Sequence, residues 1–397
     1  MDLSIKHSGI TASLTLEIDA KAKKMKAQGI DVIGFGAGEP DFQTPSFIIE
    51  AAKEALDKGY TKYTPSSGIM ELKEAICEKL KRDNNLDYEP NEILVSNGAK
   101  HSLYNIFQAI LNPGDEVIIP SPYWVSYPEM VKMADGVPVF VNTLDENGFR
   151  IDIEHLETII TNKTKALVIN SPNNPCGCVY DREQLEAIAK LAVEHDLFVV
   201  SDEIYEELLY DGAEHISIAS LNPEIKERTL VVNGMSKAYA MTGWRIGYTA
   251  AQKEIIRVMS NIQSHSTSNP NSIAQYASLV ALKGSKDIIK DMVCKFDERR
   301  KFMVDKINSI DMISCTKPQG AFYVMLNIKN IIGRAYNGRI IKGSLDFADA
   351  LLEAQKVAVV PGIAFGADGY VRLSYATSKE NIEKGLNRIE KFIKELN

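Results

Sequence analysis

Through the middle of the chain, short runs of consecutive apolar residues alternate with longer stretches whose apolar positions recur every three or four residues. "EILVSNG" leads into "AKHSLYNIFQAIL", "DEVIIPSP" into "YWVSYPEMVKM", and "TKALVINSP" into "REQLEAIAKLAVEHD", after which comes "LFVVSDEIY". The first kind of segment predicts strands and the second predicts amphipathic helices. The strands are apolar at successive rather than alternate positions, so they are expected to be buried on both faces of a mostly parallel sheet flanked by helices. A run of the same kind, "RTLVVNG", comes just before Ser236 and Lys237. The fold class is therefore α/β, with one large unit over 45–285.

Beyond that unit the pattern changes. A long amphipathic helix, "SKDIIKDMVCKFDERRKFMVDKINSI", is followed by "GAFYVMLNI", helical "LDFADALLEAQK", "VAVVPG", "YVRLSYA" and a closing helix "KENIEKGLNRIEKFIKELN". These segments predict a smaller α+β unit over 286–397. Residues 1–44, with "LTLEIDAKAKKMKAQG" as a helix ending at Gly29, are expected to pack with it.

Composition narrows the class of partner. A chain of 397 residues with 45% hydrophobic and 25% charged residues is ordinary for a globular protein. Its formal charge of −8 disfavours nucleic acid or an anionic membrane. The opening "MDLSIKHSGITASLTLEIDAKAKK" has acids and polar residues where a signal peptide needs an apolar run, and no window suits a membrane span. Five cysteines do not suggest a disulfide framework, and the lone Cys176-x-Cys178 lacks a second ligand pair for a metal. A cytoplasmic protein without a metal is expected.

In an open α/β sheet, ligands bind beyond the carboxyl ends of the strands. The polar residues at those ends form one set: Gly98, Ala99 and Lys100; Tyr123 and Trp124; Asn173 and Asn174; Asp202 and Tyr205; Ser236 and Lys237. A helix start after Gly98 offers free amide groups for a phosphate, and Arg245 and Ser236 offer charge and a hydroxyl. Asp202 suits a protonated ring nitrogen, Asn174 and Tyr205 a phenolate, and Trp124 an aromatic ring. A desolvated Lys237 can condense with an aldehyde. Phosphate, pyridinium, phenolate and aldehyde together describe pyridoxal 5′-phosphate. The "IGFGAG" run at 33–38 does not make a dinucleotide site, because "EPDFQTP" follows it where a helix would have to begin.

The ordered set "GEPDF", "TKYTPSSG", "SNGAK", "SPYWVSYPEM", "NSPNNPCG", "SDEIYEELLY", "SKAYAMTGWRIGY", "GAFYV" and "VRLSYA" resembles the class I aminotransferases of fold type I, most closely their bacterial aspartate branch. The resemblance runs along nearly the whole chain. It implies that Lys237 condenses with the cofactor and then shuttles a proton, and that Asp202 keeps the pyridine nitrogen protonated. Asn174 and Tyr205 would bond the 3′-oxygen and Trp124 would stack on the ring. Arg245, Ser236 and the amides of Gly98, Ala99 and Lys100 would hold the phosphate, with Tyr63 reaching it from the partner in a homodimer. Arg372 and the backbone of Gly38 would hold the substrate α-carboxylate. Lys100 would take the distal carboxylate, since 261–272 supplies no arginine.

Two positions depart from the family pattern: Gly234 stands where Ser or Thr is frequent, and Cys176 where Thr is commoner. The implied reaction moves the amino group of L-aspartate to 2-oxoglutarate by a ping-pong mechanism. Aromatic, alanine-type or prephenate aminotransferases and carbon–sulfur lyases are the related alternatives. Thr11 stands where prephenate-competent members carry a basic residue. A transcriptional regulator built on this fold would need an N-terminal DNA-binding domain, for which the helix before Gly29 is too short. His101, His195, His215 and His265 have no evident partners in the sequence and are expected to be structural, and 330–344 reads as a basic loop.

Overall fold

The structure, a computed structural model, describes residues 9–397. Seven strands make the large sheet: β1 (Ile93–Ser96), β2 (Glu116–Ser121), β3 (Val137–Asn142), β4 (Thr164–Asn170), β5 (Phe198–Asp202), β6 (Thr229–Gly234) and β7 (Gly247–Ala250). Their order is β1-β7-β6-β5-β4-β2-β3. β7 runs antiparallel to both neighbours, and the other pairs are parallel. No crossover helix separates β6 from β7, only a loop with one turn of 3₁₀ helix at Thr242–Trp244, so β7 returns in the opposite direction. Every residue of β1, β6 and β7 is buried, as their unbroken apolar runs predict.

The parallel strands end on one edge of the sheet. There β4 and β5 are in register with Asn170 opposite Asp202, and the chain leaving β6 carries Ser236 and Lys237. This puts three strand ends beside one another at the place where α/β sheets bind ligands.

A second sheet of three antiparallel strands, β8 (Tyr323–Asn327), β9 (Val360–Pro361) and β10 (Tyr370–Ser374), carries Arg372 on its middle strand. The N-terminal segment joins this part of the molecule, with Ile33–Gly34 pairing in parallel with Val357–Ala358. Ala22 of helix Leu14–Ala27 packs with Val32, Leu352 and Ala358. The long helix Asp287–Asn308 belongs to both cores: Ile289 packs with the core beside β1 and β7, and Met292, Phe296 and Met303 with the core of the C-terminal sheet. No helix among the described residues is long and apolar enough to cross a membrane.

Two segments differ from the sequence expectation. The helix in "YWVSYPEMVKM" begins only at Ser126, which leaves Tyr123 and Trp124 in the loop at the mouth of the sheet. The basic loop contains a hairpin, Ala335–Tyr336 against Arg339–Ile340. Asn337 and Gly338 both have positive φ, 47° and 77°, as a two-residue type I′ turn requires. The Asn-Gly pair is the signal for that turn, and it was readable in the sequence.

Candidate active site

The carboxyl ends of the strands, the start of helix Ala99–Ile110, the loop after Gly36 and strand β10 enclose a cleft of about 590 Å³. The residues expected to bind cofactor or substrate all line it except Gly98 and Tyr63, while Tyr123 and Asn173 of the strand-end set do not.

Gly98 lies directly beneath Arg245. Its φ is +84°, and a Cβ there would stand 2.4 Å from Nη2 of Arg245, so both conformation and space demand glycine. Gly98 caps the helix, and the amides of His101 and Ser102 return to its carbonyl. The amides of Ala99 and Lys100 are left as the unbonded donors of the first turn. Arg245 is itself held by the carbonyls of Thr242 (2.8 Å) and Asn97 (3.4 Å). Gly247 completes the cradle, since a Cβ there would meet the nitrogen of Ala99 at 2.2 Å. The departure at Gly234 has a steric origin: an added Cβ would lie 2.8 Å from both Gly247 Cα and the Ile246 carbonyl, so the strands leave no room for a hydroxyl-bearing residue.

Lys237 is half-buried and donates to the carbonyl of Gly38. Burial pushes its amine down to about 8; Glu39 opposes that shift, while Arg372 and Arg245 reinforce it. The backbone of Gly38 thus meets Lys237 through its carbonyl. Asp202 is buried at the floor of the cleft, and burial pushes its carboxyl up to about 6 against the opposing hydrogen bonds from Tyr127 and the Ile204 amide. Those bonds are 2.7 and 3.3 Å long.

Asn174 and Arg372 are coupled. Nη1 of Arg372 donates to Oδ1 of Asn174 at 3.0 Å, which leaves the amide group of Asn174 as its free donor, and Nη2 donates to the Gly36 carbonyl at 2.9 Å. The guanidinium stacks on the rings of Tyr323 and Phe365, at 4.3 and 5.0 Å, yet Nε has no partner. Among the described residues no carboxylate pairs with this buried cation, although burial alone costs a charge several kcal/mol. Tyr205 shares a hydrogen bond of 2.9 Å with the hydroxyl of Tyr323. Lys100 lies over the Trp124 ring at 4.8 Å, also with no acidic partner among the described residues. Ser236 is buried on the cleft wall, and Tyr63, 90% exposed, stands outside it.

Several contributors were not foreseen. Tyr127 and Tyr323 carried no assignment from the sequence, and only the fold brings their hydroxyls to Asp202 and Tyr205. Asn170 binds the Asp202 carbonyl at 2.9 Å and accepts from the Asn174 amide at 2.8 Å, joining two strand ends. The expectation that His101 and His215 lack partners is corrected. His101 accepts from the Asn97 amide at 3.3 Å, and His215 lies 3.1 Å from Glu203.

Against known proteins, residues 30–389 match the family described as aminotransferase class I and II. The chain belongs to the class I and II aminotransferases. It is 53% identical to an aspartate aminotransferase of Bacillus sp. (strain YM-2), over 97% of both chains. It is 52% identical to an aspartate aminotransferase of Bacillus subtilis, over 99% of both. Among solved structures, this aminotransferase superposes on the aspartate aminotransferase from Rhizobium meliloti with a TM-score of 0.97, 44% identity and full coverage of both chains. On the Thermus thermophilus enzyme with maleate the TM-score is 0.93, at 48% identity and 99% and 100% coverage. A probable aspartate/prephenate aminotransferase of Aquifex aeolicus is 49% identical over 99% of both chains. The expected family and fold class therefore hold.

Proposed function

We propose that this aminotransferase moves the amino group of L-aspartate to 2-oxoglutarate with pyridoxal 5′-phosphate as cofactor. The observation that carries the reading is a pair of cations, Arg372 and Lys100, that have no carboxylate partner among the described residues and line the same cleft as Lys237 and Asp202. Two such cations suit a substrate with two carboxylates. The names of the relatives agree, and maleate, found with the Thermus enzyme, is itself a four-carbon dicarboxylate.

The residues fit the cofactor. The Gly98–Arg245 cradle is a space that any side chain at Gly98 would fill, edged by helix amides and a guanidinium. The buried acid Asp202 accepts from Tyr127 and the Ile204 amide and has no ion-pair partner among the described residues, so a pyridinium would complete it. When bound, the cofactor supplies an aldehyde that condenses with amines and a protonated ring that accepts electrons.

The chain's own residues do the rest. Asp202 would hold the ring nitrogen's proton, and the free amide of Asn174 and the hydroxyl of Tyr205 would bond the ring oxygen. Trp124 would stack on the ring. Arg372 grips the α-carboxylate, while Lys100 accepts the distal one. Lys237, with its amine lowered to about 8, would take the proton from the substrate Cα and hold it on its nitrogen until the amino group is delivered to the oxo acid, whose Cα would receive it. Tyr63 is proposed to reach the phosphate of a partner subunit, because it is exposed and lines no part of its own cleft.

Prephenate as the amino acceptor is the second reading, raised by relatives such as the Aquifex protein. At the position in question, Thr11 binds Glu129 through its amide (3.1 Å) and hydroxyl (3.2 Å) and offers no positive charge, which favours aspartate. The deciding experiment is a substrate panel for the purified enzyme. Aspartate with 2-oxoglutarate should exceed alanine, phenylalanine and prephenate in kcat/KM, and equal rates with all of them would refute the assignment.

A further inference from the structure

Behind the strand end that carries Asp202 lies a second set of charged groups that the reaction above does not use. Glu203 points away from the cleft. Its Oε1 accepts from Ser201 (2.9 Å) and Ser217 (2.6 Å), and its Oε2 faces Nε2 of His215 at 3.1 Å. One turn on, Glu206 pairs with the buried Lys79 and accepts from Asn84 and Asn233, each at 2.7 Å, with His215 3.9 Å away. The side chains of Lys79, Glu203, Glu206 and His215 are all under 9% exposed. Around them lie the buried phenols of Tyr88, Tyr239 and Tyr248, each held well above its usual range by burial, and the carboxylates of Asp83 and Glu207, both paired with Lys286.

Charge counting identifies the adjustable member. Lys79 is paired with Glu206, and among the described residues His215 is the basic group within ion-pair distance of Glu203. Two carboxylates and a histidine suggest a metal site at first sight. Lys79 already supplies a cation to Glu206, however, and two serine hydroxyls fill the other oxygen of Glu203. Burial lowers the proton affinity of His215, but the carboxylates of Glu203 and Glu206 outweigh it and raise that affinity above the ordinary imidazole range. Glu203 in turn is one of the groups that push Asp202 up.

We propose that the His215–Glu203 pair is a positioning device for Asp202, placing a compensated charge directly behind the residue that is to hold the cofactor's ring nitrogen. With His215 charged, Asp202 sees a neutral pair through the strand. With the imidazole's charge removed, it sees a bare buried carboxylate and holds its own proton more tightly. The importance of this effect for turnover rests on the cofactor reading above, but the coupling itself does not.

The test uses the full chain without cofactor, labelled with carbon-13 at the aspartate carboxyl carbon, and follows Asp202 by NMR against pH after assigning its signal with Asp202→Asn. His215→Gln keeps a donor for Glu203 but removes the charge, and should raise the Asp202 midpoint by roughly one pH unit, the size expected of one charge at an effective dielectric near 20. Glu203→Gln should move it in the opposite direction. A purely structural network gives no such pair of opposite shifts. Unmoved midpoints in a folded His215→Gln protein, or shifts of the same sign in both variants, would overturn the proposal. If Glu203→Gln does not fold, the His215→Gln shift decides alone. Because no cofactor is present, a negative result here is separate from any failure of the cofactor assignment, which is read from binding of pyridoxal phosphate to the unsubstituted protein.

Discussion

The hydroxyl of Tyr127 donates to Oδ2 of Asp202 across 2.7 Å, at the floor of the cleft and out of reach of bulk water. This bond holds down a carboxyl that burial raises to about 6. Tyr127→Phe should therefore move the acid limb of the pH–rate profile upward by roughly one to two units, since a hydrogen bond to a charged group contributes about 1.5–3 kcal/mol. Rates at pH 5.5 and 8 give the comparison; equal losses at both would show that the bond does not control the ionisation of Asp202.

Lys237→Ala would remove both the condensing amine and the proton carrier of the proposed reaction. Turnover should fall by roughly 10⁴-fold or more, beyond what loss of one general base costs. Addition of a small external amine should restore part of it, and turnover near that of the native enzyme would end the catalytic assignment.

The amine of Lys237 also predicts a pH dependence in the protein without cofactor. Its proton is lost at about 8 in the folded chain, against 10.5 for the unperturbed group. Condensation with an aldehyde should rise through that lower midpoint and level off above it. Between the two values the unfolded chain binds more protons, so this group's contribution to stability increases as the pH rises through that window. Urea unfolding of native protein and Lys237→Met in parallel isolates the contribution; the difference between them should be larger at pH 7.5 than at pH 10, with the lysine protein the less stable of the two at pH 7.5.

Lys100 and Arg372 should separate by substrate. Lys100→Ala should cost aspartate and 2-oxoglutarate about 2–3 kcal/mol, the lower part of the range for a charged pair because Lys100 faces solvent in the open cleft, or roughly 30- to 150-fold in kcat/KM. Alanine should be nearly unaffected. If Arg372 holds the α-carboxylate as proposed, Arg372→Lys loses a two-pronged grip on a group all amino acids share, so every donor should fall together. A uniform loss in the Lys100 variant would make it a phosphate-loop residue.

A dimer with shared sites predicts complementation. Lys237→Ala and Tyr63→Ala, each impaired alone, should regain activity when unfolded together and refolded as a mixture. Half of the dimers are then mixed and each holds one intact site, so recovery should approach about a quarter of the native activity. Activity no greater than the sum of the separate variants would place Tyr63 outside the partner's site.

The strands and most helices were legible in the sequence because burial on both faces of a parallel sheet forces unbroken apolar runs, and helix periodicity survives in any amphipathic segment. The residues with reactive groups at the strand ends were legible for the same reason, as a charge or amide at the end of such a run has only the ligand edge to occupy. Asp202, Lys237, Asn174 and Ser236 were found in this way. Tyr127, Tyr323 and the pair Glu203–His215 were not, because their partners are distant in sequence or on another element and their residue types are equally at home in a core. The glycine at 234 was visible only as a departure; its cause, the approach of Gly247 and Ile246 to 2.8 Å of any added Cβ, exists only once β6 and β7 are paired. Sequence periodicity records which face of an element is buried. Hydrogen bonds between elements, and the proton affinities that depend on them, are set by distances of a few tenths of an ångström, which arise only when the elements pack.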